Sequence, residues 1–156
     1  LPIGGDYESV IEKHNQQITE FSDEVYESIK AHIEALGISD ADTIDLLSKE
    51  ASILQAALRF NNINQVLFRS QFDLFSLMPE DDSAISDQEL QKYFDNVVSS
   101  NPANLEGWDL VKYLSYPVST GIIEYHNNGY RLTKFGKSYI QHMKKNLSLI
   151  DDLGKL

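Results

Sequence analysis

Between Ile11 and Leu36, apolar residues recur three and four positions apart: Ile18, Phe21, Val25, Ile29, Ile33 and Leu36, with acids, glutamines and lysines between them. This period, unbroken by Gly or Pro, predicts one amphipathic helix over 7–36, with His14 in its apolar stripe. Gly37 closes it, and Ser39 or Asp40 caps a second helix over 41–60. The second stripe is Ile44, Leu47, Ala51, Leu54 and Leu58. Two helices joined by so short a turn predict an antiparallel helical hairpin. A helix with a wet stripe needs a partner. That partner is either the next helix or a second copy of the chain, and the expected homodimer contact is Ile11, Ile18, Phe21 and Val25.

Asn61-Asn62 predicts a break before a third helix over 63–78, which is apolar on more than one face and so central. Pro79 to Asp82 reads as a polar loop. Ser86 and Glu89 have the spacing of a capping box and open a helix over 87–98. Pro102 suits the first turn of the next helix, which runs to about 116 through Leu105, Trp108, Val111, Lys112 and Leu114. Then Thr120-Gly121 closes it. Two short β-prone runs, Ile122 to Tyr125 and Tyr130 to Leu132, flank an Asn-Gly pair and predict a hairpin over 122–132. Thr133 is a helix N-cap, and Phe135, Tyr139, Ile140 and Met143 follow at helical spacing.

The run GIIEYHNNGYRLTKFGKSYI, with three helices before it, resembles the end of a winged helix-turn-helix domain. The resemblance covers about 63–145. It implies a mainly α fold: a helical hairpin arm over 1–60, then a winged helix over 61–147 whose wing is a small β-hairpin, with 148–156 a frayed tail. It also implies that the helix over 102–116 is the element offered to a DNA groove and that the hairpin touches the backbone.

Charge changes this picture. The net charge is −11, which opposes attraction to phosphate. Residues 1–58 hold twelve acids and three bases, a balance of −9; residues 59–156 hold twelve acids and ten bases, a balance of −2. Arg131, Lys134, Lys137, Lys144 and Lys145 make the stretch from Tyr130 to Lys145 locally basic. The candidate DNA contacts are therefore Lys112, Asn127, Asn128, Arg131, Lys134 and Lys137. In the 102–116 helix, Glu106 and Asp109 repel phosphate, and with Trp108 they suit a protein partner better.

With no Cys, the chain has no disulfide, thiolate ligand or Cys nucleophile; this fits a reducing, cytoplasmic setting. No apolar run approaches the roughly 20 residues of a membrane span, and Leu1 with Gly4-Gly5 reads as an entry strap or linker. His14, His32, His126 and His142 lack ligand spacing, and no catalytic pair or phosphate-loop motif is present. The expectation is a non-catalytic module without cofactor or metal. It would bind DNA or regulate, or alternatively dock a protein partner or another domain of a longer protein.

Overall fold

The computed structural model describes residues 6–156; the strap expected over 1–5 lies outside them. Among these residues the chain is mainly helical with a small three-stranded antiparallel sheet. The order is α1 (Tyr7–Asn15), α2 (Glu20–Leu36), α3 (Asp40–Asn64), α4 (Arg69–Leu77), β1 (Ile85–Ser86), α5 (Asp87–Ser100), α6 (Leu110–Ser119), β2 (Ile123–Tyr125), β3 (Gly129–Leu132), α7 (Lys134–Lys145) and α8 (Leu147–Asp151). No described helix is long and apolar enough to cross a membrane. The chain divides into two units, 1–52 and 53–156; this division and the expected one at 60/61 both fall inside α3.

In the first unit, the helix expected over 7–36 is two helices. Thr19 interrupts it by taking an extended conformation and capping α2: its hydroxyl accepts from the Ser22 N–H, and the Ser22 hydroxyl accepts from the Thr19 N–H at 2.8 Å. Such local side-chain bonds offer the backbone an alternative to helix. Gly37 does end α2, in a left-handed conformation at φ 60°. Ser39, not Asp40, caps α3 through its hydroxyl on the Asp42 N–H. The expected packed hairpin of α2 and α3 is not formed: none of residues 6–52 is buried. Twelve acids against three bases in this region oppose close side-by-side packing.

The second unit holds the core. Asn61-Asn62 does not break α3, because Phe60 and Ile63 on either side are buried and hold the helix in place to Asn64; tertiary packing outweighs the low propensity of Asn. The break falls instead at 65–68, so the helix expected over 63–78 begins only at Arg69. The capping box opens α5 as expected, with Glu89 accepting from the Ser86 N–H and Ser86 from the Glu89 N–H. The helix expected over 102–116 starts late, at Leu110, because Asp109 is its N-cap and residues 101–109 form turns around the buried Leu105. Pro102 therefore opens no helix.

Pro117 does not end α6 either. Lacking an N–H, it leaves the carbonyl of Tyr113 without its helical partner. Buried Gln71 supplies one: its Nε2 donates to the Tyr113 carbonyl at 2.6 Å, while its Oε1 accepts from the Phe68 N–H at 2.9 Å. Beside it the Ser70 and Tyr113 hydroxyls are bonded at 2.8 Å, and the Tyr93 hydroxyl donates to the Ser70 carbonyl.

The sheet order is β1-β3-β2, with Ile85 opposite Tyr130 and Glu124 opposite Arg131. The turn residues with positive φ are Asn127 and Asn128, at 49° and 61°, which is the two-residue hairpin turn matched to strand twist. Gly129 has a different role from the turn residue expected: a Cβ there would collide with the Ile85 carbonyl, so glycine is what lets β1 pair with β3. Thr133 caps α7 as expected. Residues 148–156 are no frayed tail. Ile150 and Leu153 are buried, and the carbonyls of Gly154 and Leu156 accept from the Arg69 and Ser70 N–H groups, two of the first-turn donors of α4.

Gln71→Leu should lower stability by about 1–3 kcal/mol in thermal or urea unfolding, the cost of an unpaired buried carbonyl. Adding Pro117→Ala, which restores a helical N–H to that carbonyl, should return part of the loss; a purely additive double variant would refute the pairing.

Candidate functional surfaces

The six residues expected to touch DNA lie along α6, the hairpin and α7, but their charge is largely spent within the chain. Arg131 reaches across the sheet to Glu124, with Nε and Nη2 both 2.8 Å from one carboxylate oxygen. Lys137 donates to Asp82 at 2.8 Å. Lys112 lays its ammonium over the Trp108 ring, 4.5 Å from the centroid. Asn127 and Asn128 are exposed at the turn, where Asn127 Nδ2 bonds His126 Nε2 at 2.8 Å. Lys134, Lys144 and Lys145 are exposed and form no ion pair among the described residues.

The three residues expected to meet a protein partner each have their own surroundings. Glu106 is exposed in the loop before α6. Trp108 is half-buried and packs on Phe68, with ring centroids 6.0 Å apart. Asp109 accepts from the Lys112 N–H at 2.7 Å and so starts α6. The surface beside it escaped the sequence reading. Val111 points outward at 73% exposure, and Tyr125, 57% exposed, stacks edge-on against Tyr130 at 5.1 Å. With Leu110, Asp87 and Asp109 they line a groove of about 370 Å³. The sequence names Val111 along the 102–116 helix without giving it a face, and the late start of α6 at Leu110 puts it in the first, exposed turn. The partner of Arg131 was legible: Glu124 and Arg131 are equidistant from the Asn127–Asn128 turn, which makes them cross-strand neighbours.

In the first unit the residues expected at a dimer contact are exposed, Phe21 to 74%, with Ile11, Ile18 and Val25 alongside. The heptad-spaced row on α3 is open too: Ile44 is 67% exposed and Leu54 66%.

Tyr93, partly buried, and Tyr113 and Tyr139, buried, are hydrogen-bonded through their hydroxyls. Burial pushes Tyr93 up to about 12 and raises Tyr113 and Tyr139 further; all three act as neutral hydrogen-bonding groups. His142 lies against Phe60 at 5.0 Å between ring centroids. Among the described residues no group of three or more His, Asp or Glu could hold a metal ion. Compared with protein-family models, with curated proteins and with solved structures, the chain matches none.

Three exposed carboxylates are held below their ordinary range: Asp82 by the hydrogen bond and charge of Lys137, Glu89 by the Ser86 hydroxyl and N–H, and Asp81 by the Ser83 hydroxyl and N–H. A lowered folded-state value stabilises the fold above the unfolded value and is lost as pH falls through the folded one. Their contribution should therefore be constant above about pH 5, begin to fall near about pH 4, and be lost only as pH drops through the lowered folded-state values. The variant Asp81→Asn, Asp82→Asn, Glu89→Gln should show a shallower acid limb in melting temperature against pH; an unchanged limb would remove these groups from the explanation.

Proposed function

We propose that this chain is a non-catalytic winged-helix module that works by protein association. The winged-helix reading is supported by the order α4–β1–α5–α6–β2–β3 and by the sheet order β1-β3-β2. In this reading α6 is the third helix, and β2 with β3 is the wing. The association reading is carried by one observation: residues 6–52 form amphipathic helices that bury nothing. Apolar side chains held in register at that exposure are stabilised by what covers them, and a continuous row of them is the mark of an interaction face. The α3 row Ile44, Leu47, Ala51, Leu54 and Leu58 alternates three and four residues, the spacing of a coiled-coil seam. A homodimer through this arm, including Ile11, Ile18, Phe21 and Val25, is the partner it fits first.

Binding to DNA is the second reading. It is favoured by Lys134, Lys144 and Lys145, which stand exposed on α7 and form no ion pair among the described residues. It is opposed by the ion pairs of Arg131 and Lys137 and by the net charge of −11. With three such lysines, a salt slope of roughly 3 is the most to expect on duplex DNA.

Sedimentation of the chain over a range of concentrations decides between them. Association is expected, with Phe21→Asp plus Val25→Asp, or Ile44→Asp plus Leu54→Asp, weakening it at least tenfold while the α-helical signal persists. A chain that stays monomeric to high concentration, yet binds random-sequence duplex DNA with a salt dependence lost on changing Lys134, Lys144 and Lys145 to Ala, would replace the first reading with the second.

A further inference from the structure

The groove between α5, the start of α6 and the hairpin has a composition that states what would fill it. Its floor and walls are apolar and aromatic: Leu110, Val111, Tyr125 and Tyr130. Its rim carries two carboxylates, Asp87 in the first turn of α5 and Asp109 at the cap of α6. Neither is in an ion pair among the described residues. Each spends one oxygen locally, Asp87 Oδ2 on the Tyr125 hydroxyl at 3.3 Å and Asp109 Oδ1 on the Lys112 N–H at 2.7 Å. Their other oxygens are free to accept. No cation lines the groove. The nearest on α6, Lys112, is turned away onto Trp108.

We propose that this groove is a docking site for a protein segment that presents an arginine side chain between aliphatic residues, and the proposal rests on the association reading above. The match is in the chemistry. An aliphatic side chain covers Val111 and Leu110, two exposed or half-exposed residues in the first turn of one helix. The guanidinium stacks on the open Tyr125 ring and donates to the carboxylates. Arginine suits this better than lysine, because its planar head can stack and bond at once. The same charge excludes a nucleic-acid backbone from the groove, since two acids and no base would face phosphate. The net charge of −11 works in the same direction, drawing basic partners from a distance.

The test uses the full chain, isotopically labelled, with its backbone amide signals followed by NMR. Three capped peptides are titrated in: Leu-Arg-Leu-Arg-Leu, Leu-Glu-Leu-Glu-Leu and Gly-Arg-Gly-Arg-Gly. The first should give saturable shifts at 110, 111, 125 and 130, the second none, and the third shifts at least tenfold weaker in affinity. Asp87→Asn with Asp109→Asn should cut the affinity for the first peptide about tenfold. Asparagine keeps the cap, so the fold is retained and unshifted reference spectra elsewhere will report it. Val111→Ser, at an exposed position, should cut it several-fold. Absence of saturable shifts, equal binding of the glycine peptide, shifts confined to the acidic arm, or binding indifferent to the aspartate changes would each overturn the proposal. So would self-association lost on those changes, which would make a second copy the occupant. The arm is read separately by sedimentation, so the groove can fail while the association reading stands, and the reverse.

Discussion

The two hydrogen bonds of Gln71 hold together segments that cannot satisfy their own backbone. On one side is Phe68, at the start of α4, whose N–H has no helical acceptor; on the other is the Tyr113 carbonyl, orphaned by Pro117. A buried polar network of this kind contributes when every member is paired and costs when one is removed. Around it the Ser70 and Tyr113 hydroxyls and the Tyr93 phenol complete the set, and the C-terminal carbonyls of Gly154 and Leu156 finish the first turn of α4. The register of α6 against α4, and so the outward aim of Val111, depends on these bonds.

Charge and shape then point the same way. The hairpin and α7 carry five of the ten cations of the second unit, but Glu124 and Asp82 neutralise two of them, and Lys112 of α6 is held on an indole. What remains uncompensated on the groove side is acidic and apolar together. In the first unit the exposed material is apolar rows bordered by acids. Both surfaces suit association with protein chains, and the groove adds a preference for basic ones.

Where local chemistry decides, the sequence reading and the structure agree. The Ser86–Glu89 box, the Thr133 cap, Gly37 after α2 and the hairpin about its asparagines each depend on residues within four positions of one another. Where distant partners decide, the reading went astray. Asn61-Asn62 stays helical because Phe60 and Ile63 are buried. Pro117 is tolerated because of Gln71, forty-six positions earlier. The last nine residues are ordered because α4 needs their carbonyls. Thr19 is the exception among local signals: its capping bond with Ser22 was present in the sequence but was outweighed by an unbroken apolar period. The groove was invisible for a related reason. With α6 expected to begin at 102, nothing marked Val111 as standing in an exposed first turn beside the hairpin.

The sheet also bears on edge-to-edge pairing between chains. Its strands are two, three and four residues long, and Gly129 is pressed against the Ile85 carbonyl where a longer or bulkier strand would not fit. An edge that short offers an incoming strand very few free N–H and C=O groups, so it is a poor template for cross-β growth. Apart from Tyr125 on β2, the large exposed apolar residues sit mainly on helices, whose backbone groups are already bonded. Contacts made there pass through side chains alone, so dilution or a competing partner can release them and no backbone ladder is built.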